Sequence, residues 1–254
     1  MPGIENPPGF VVRTEAQKVA WDNGFRLERG VEGGWLRYAS TTARGSIWIA
    51  GVSVRGPWLL SIDHSGVVAE IGPMSSMPGA GPGTATFVFG TLTELHAAVG
   101  RVYRLAVSLP DAPLARFHAK TAGLPKATET ERLVIQRIGQ EVFRDALMDY
   151  WEGRCPLSGI TDAALLRASH IVPWADCTDA QRLDVHNGLL LSALWDAVFD
   201  RGLISFADDG SLLVSPQLSE RARMALGVAT ALPLSGLRDE HRANLALHRA
   251  RNNF

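Results

Sequence analysis

The 254-residue sequence predicts an α+β chain in two parts. Three observations carry that expectation. Residues 1–110 mix short aromatic and β-branched runs with helical segments. Pro110 to Pro125 holds three prolines and lacks a clear period. From Thr128 the pattern turns strongly helical, then gives way to short apolar runs between polar loops. Such shifts mark domain boundaries. The expected division is a mixed α/β module over 1–110, a linker over 111–127 and a helix-flanked unit over 128–254.

In the first part, Thr14 to Asn23 reads as a short helix capped by Thr14. Trp35-Leu36-Arg37-Tyr38, Gly45 to Ala50 and Trp58 to Ile62 read as strands, with Arg55-Gly56-Pro57 turning between two of them. Gly79 to Gly83 reads as a loop and Thr86 to Phe89 as a further strand. Thr91 or Thr93 then caps a helix to about Leu105. In the second part, Leu133, Ile135, Ile138, Val142, Phe143, Leu147 and Tyr150 form an apolar helical stripe that Gly153 ends. Asp208-Asp209-Gly210 between two short apolar runs signals a hairpin. Ser219 to Leu226 and Asp239 to Arg251 read as closing helices.

Composition excludes more than it assigns. An apolar fraction of 46% permits a real core. No apolar run approaches the length of about 18 residues that a membrane span needs. The start, Met1 to Pro8, lacks the pattern of a signal peptide. Two isolated cysteines, Cys155 and Cys177, fit a reduced cytoplasm and argue against a zinc knuckle. The net charge of −1 does not advertise nucleic acid, which needs only a local basic face. Of 25 basic residues only Lys18, Lys120 and Lys126 are lysine, a skew that codon usage explains without function.

Leu166 to Leu203 is the most informative stretch. His170 ends an apolar run, and Pro173 then breaks it into a loop. Asn187-Gly188 opens a second apolar run, although such a pair often marks only a turn. Asp196 and Asp200 follow one helical turn apart and share a helix face. A base near neutral pH, an orienting amide and paired oxygen ligands suit metal-assisted phosphodiester hydrolysis. The plain alternatives are a structural histidine, a turn and two capping or surface aspartates.

His170-x-x-Pro173-Trp174, Asn187-Gly188-Leu189 and Asp196-x-x-Phe199-Asp200-Arg201-Gly202-Leu203, in that order, resemble the HNH nucleases. Cys155-Pro156-Leu157-Ser158-Gly159, the preceding Val142-Phe143-Arg144 and Tyr150, and the terminal His248-Arg249 with Phe254 extend the resemblance over 128–254. It implies a strand–loop–strand–helix unit around one divalent metal, with His170 as general base and Asn187 hydrogen-bonded to its ring. The family's usual final histidine falls at Asp196, and Asp200 stands where a second ligand occurs in some members. Carboxylates there favour Mg²⁺ or Mn²⁺ over Zn²⁺. The position before His170, often a ligand in the family, is Ser169, a poor one. Arg167, Arg182 and Arg201 are candidates for neutralising the phosphate.

The resemblance implies a restriction-type endonuclease that acts on double-stranded DNA as a homodimer. It also suggests that residues 1–110 read the target, methylated or phosphorothioated DNA, through Arg37, Arg44, Arg55 and His64. Trp48 can stack on a base, or Trp35, Trp48 and Trp58 are simply strand core. Ser169 and Trp195 leave an alternative: an HNH-fold DNA-binding protein with weakened catalysis. A toxin-type nuclease would call for a delivery module, which the N-terminus does not suggest.

Overall fold

The structure, a computed structural model, describes residues 3–72, 81–125 and 127–254. Gly79 and Ala80 of the expected loop lie outside the described residues. The chain is mixed α+β and divides into two compact units, Met1–Ala112 and Pro113–Phe254. No helix among the described residues is long and apolar enough to cross a membrane.

The first unit is built on a five-stranded antiparallel meander, β1 (Leu27–Glu32), β2 (Trp35–Ala39), β3 (Ser46–Gly51), β4 (Trp58–Ile62) and β5 (Ala85–Phe89). Alternation along β2 to β4 places Leu36, Tyr38, Ile47, Ile49, Leu60 and Ile62 on one face. There they meet α1 (Phe10–Asp22) and α3 (Leu92–Ser108). The other face carries a buried cluster of Trp35, Trp48, Ala50 and Leu59. Trp35, Trp48 and Trp58 are therefore sheet core, as the plainer reading held.

Several elements differ from expectation. Helix α1 begins at Phe10 after an N-cap glycine, and Thr14 lies inside it, bonding back to the Phe10 carbonyl at 2.9 Å. Thr91 caps α3 with a full capping box to Glu94. Strand β1 and α2 (Ser65–Ile71) were not expected. The stretch read as a linker is largely α4 (Asp111–Thr121). Its Pro113 falls in the first turn, where the missing N–H has no helical partner to lose.

In the second unit α5 (Glu129–Tyr150) starts on a Thr128–Glu131 capping box. Only its C-terminal half carries the buried stripe: Val142, Phe143 and Leu147 are core, whereas Leu133 is 57% exposed. Strands β6 (Leu166–His170) and β7 (Gly188–Ser192) pair antiparallel, Ser169 opposite Leu189 and His170 opposite Gly188. The intervening loop holds α6 (Asp179–Arg182). Helix α7 (Ala193–Asp200) follows β7 directly. The hairpin β8 (Ile204–Phe206) and β9 (Leu212–Val214) turns at Asp208-Asp209-Gly210 as expected. Helices α8 (Glu220–Leu226) and α9 (Asp239–Asn252) close the unit.

Candidate active site

The β6–β7 ribbon has a helix on each face, and successive residues of β6 turn to opposite helices. His170 turns to α5. Its ring stacks on Phe143 with centroids 3.9 Å apart and planes inclined by 18°. Gly188, its cross-strand partner, makes this possible: a Cβ there would lie 2.5 Å from Phe143 Cζ. The Asn187-Gly188 pair is thus less a turn signal than a packing requirement. Trp174 meets the His170 ring edge-on at 5.5 Å.

His170 Nε2 lies 2.9 Å from the Arg182 main-chain oxygen. A carbonyl only accepts, so Nε2 carries the proton and Nδ1 of the neutral ring carries the lone pair. Nδ1 has no hydrogen-bond partner among the described residues. Burial is the main cause that lowers the ring's pKa below its ordinary value. The Arg182 charge adds to this, and the bond to the Arg182 carbonyl opposes it. The ring is therefore neutral at pH 7 and able to take a proton at Nδ1.

Among the described residues the Asn187 side chain makes no hydrogen bond to this ring, which corrects the expected one. Its buried amide ties the loop instead. Oδ1 accepts from Val172 N at 2.8 Å, and Nδ2 donates to the Val172 and Gln181 oxygens, each at 3.2 Å. Val172 leaves β6 and Gln181 precedes Arg182, so one side chain closes the loop at both ends. A backbone carbonyl holds the histidine, and the amide holds the backbone.

Ser169 turns to α7, where its Oγ donates to Asp196 Oδ1 at 2.5 Å. The hydroxyl thereby orients the aspartate, a different task from the ligand position that the resemblance assigned it. Asp200 is exposed overall. Partial burial of its carboxyl, and next the negative charge of Asp196, push its pKa up. A carboxyl whose pKa is raised by burial and by a neighbouring negative charge is relieved by a divalent cation, and Mg²⁺ is commonly held by one or two carboxylates plus water. The donor set fits such an ion and lacks the nitrogen and sulfur ligands of a closed zinc site. Among the described residues, no three His, Cys, Asp or Glu side chains form a ready metal cluster.

Of the candidate cations, Arg167 Nη1 is spent on the Ala164 and Leu166 oxygens at 2.9 Å. Arg182 is bonded within its own loop. Arg201, at the end of α7, is exposed and makes no ion pair among the described residues. In the first unit Arg44 and His64 lie close enough to act on one another electrostatically, while Arg37 and Arg55 stand on other elements. Arg37 donates to Ser46 Oγ and lies 5.2 Å over the Trp48 ring. Arg44 pairs loosely with Asp111 at 3.7 Å. His64 caps α2, its Nδ1 accepting from Val67 N at 3.2 Å. Arg55 sits exposed in the β3–β4 turn.

Residues that the sequence did not single out complete the frame. Arg144 of α5 donates to the Leu166 and Ala163 oxygens, both at 2.7 Å, fixing the start of β6. From α9, Asn244 donates to the His186 oxygen at 3.0 Å, and Arg251 pairs with Asp176 in the loop. Arg144 stood in the Val142-Phe143-Arg144 run of the sequence resemblance but without this role; Asn244 and Arg251 gave no signal. No curated protein matches the chain. The segment that holds His170, Asn187, Asp196 and Asp200, residues 155–207, matches the family model described as HNH endonuclease.

Proposed function

We propose that the chain is a divalent-metal-dependent DNA endonuclease of restriction type, acting in the cytoplasm as a homodimer. In this reading 128–254 cuts and 1–110 reads the target, a methylated or phosphorothioated duplex. The observation that carries it is His170, held as the Nε2–H tautomer within a segment that matches a nuclease family. His170 Nδ1 takes a proton from water as the water oxygen bonds to phosphorus. The P–O3′ bond then breaks, and the leaving oxygen is protonated from solvent. Asn187 holds the loop that orients the base. Asp196 and Asp200 would hold Mg²⁺ or Mn²⁺, which neutralises charge on the phosphate and leaving oxygen when bound. Arg201 is the cation best placed to meet a phosphate, since Arg167 and Arg182 are committed to the protein. Arg37, Arg44, Arg55 and His64 remain the candidates for target contacts.

A second reading, an HNH-fold DNA-binding protein with weakened catalysis, draws on Ser169 and on the lack of a three-residue ligand cluster among the described residues. Incubation with matched plasmids, unmodified, methylated or phosphorothioated, in Mg²⁺ or Mn²⁺ separates the two. Metal-dependent cutting of one marked plasmid supports the first. Binding without cutting on all of them supports the second. Equal cutting of every plasmid would remove the modification reader while leaving the nuclease.

A further inference from the structure

Arg182 was expected at the phosphate, but its surroundings suit a different task. Its carbonyl accepts from His170 Nε2. Its side chain closes back over the same loop. Nε donates to the Trp174 oxygen at 2.9 Å, and Nη1 pairs with Asp179 at 2.9 Å. The guanidinium carbon lies 5.1 Å from the Trp174 ring centroid. Trp174 in turn meets the His170 ring edge-on and presses onto α5 at Gly139, where a Cβ would lie 2.7 Å from Trp174 Cη2. The Arg182 side chain is only 26% exposed. A guanidinium so enclosed, with a main-chain acceptor, a carboxylate and an aromatic face, has little left to offer a phosphate.

The geometry points to Arg182 and Trp174 as positioning residues for His170, a clip that keeps the Arg182 carbonyl on Nε2 and so fixes which ring nitrogen is bare. The same residue supplies the acceptor from its backbone and the restraint from its side chain. Lysine cannot replace the planar fork, which bonds the Trp174 carbonyl and Asp179 in fixed directions while lying over the ring. The role assigned to the clip rests on reading His170 as the proton acceptor, but the tautomer itself can be measured without any cleavage.

The test uses the full chain with ¹⁵N-labelled histidine, His170→Ala to assign the signal, and ring ¹⁵N NMR at a pH where the ring is neutral. Wild type should show Nε2 protonated and Nδ1 bare. Arg182→Ala and Arg182→Lys should both give a mixture of tautomers. Where cleavage is measured, kcat should fall about 10- to 100-fold with KM nearly unchanged, the loss expected from a misplaced base. Asp179→Asn disturbs one contact only and should shift the signal in the same direction by less. It serves if Arg182→Ala fails to fold. A wild-type tautomer in all three variants would overturn the clip. So would rescue by Arg182→Lys together with a raised KM for Arg182→Ala and a salt slope reduced by about one, the behaviour of a phosphate contact. A protein that cuts no DNA would end the nuclease reading, yet the NMR result would still decide the clip.

Discussion

Ser169 Oγ donates a 2.5 Å hydrogen bond to Asp196 Oδ1, while the next residue, His170, turns to the opposite side of the same strand. The ribbon therefore presents two chemistries from adjacent positions. One side holds paired carboxylates on α7, and the other a neutral imidazole stacked on α5.

The carboxylate side sets the first expectation. Asp196→Ala should abolish metal-stimulated cleavage more completely than Asp200→Ala, because Asp196 is held by Ser169 and Asp200 stands at the exposed helix end. In Mn²⁺ titrations by calorimetry, Asp196→Ala should lose binding and Asp200→Ala should weaken it. Wild-type binding by both variants would show that the ion sits elsewhere.

Gly188→Ala is expected to damage stability and activity together. Its new Cβ would meet Phe143 Cζ at 2.5 Å and Leu147 Cδ1 at 2.8 Å, both on a packed helix. Overpacking of this kind costs about 1–3 kcal/mol. Displacement of Phe143 also removes the surface on which His170 rests. Urea unfolding and cleavage rates on the same variant check this; unchanged values in both would mean that α5 yields freely.

Asn187→Ala should leave Val172 N and the Gln181 oxygen without this partner in a part-buried loop. A fully buried polar group so stranded costs about 1–3 kcal/mol, and these part-buried ones should cost toward the lower end. Asn187→Asp keeps the acceptor for Val172 N but loses both donors, and should fall between wild type and alanine. If aspartate matches wild type in unfolding experiments, the amide's donors contribute nothing.

The pH profile follows from the direction of the His170 shift. Burial lowers its pKa from the ordinary 6.5, so the deprotonated, proton-accepting form persists into mild acid. Cleavage that depends on this form should be flat near neutrality and decline with a midpoint below 6.5 as the ring protonates. A rate limb with a midpoint above 6.5 would contradict a buried, desolvated base.

Much of the second unit was legible because its signals are local. Thr128 with Glu131 marks the start of α5, and Asp209-Gly210 marks the β8–β9 turn. Strand β1 escaped notice because Leu27–Glu32 is an exposed edge with three charges and Gly30, and shows no alternation. Helix α4 was hidden by Pro113, which breaks helices everywhere but at their starts. In the site, the reactive residue types stood in the sequence, but their partners did not. That Asn187 bonds Val172 and Gln181 rather than His170, and that Phe143 and Trp174 flank the ring, depends on contacts across the fold. Side-chain periodicity carries no such information.

The proposal that His170 Nδ1 accepts the proton of the attacking water is tested by plasmid cleavage with wild type and His170→Ala in Mg²⁺ or Mn²⁺ and in EDTA, with DNA affinity and unfolding followed on the same samples. Wild-type cutting should stop in EDTA and return with metal. The variant should lose about 10²–10⁴-fold in rate, with affinity and folding nearly intact. Variant activity within about tenfold of wild type would contradict the proposal, since a general base contributes more than that.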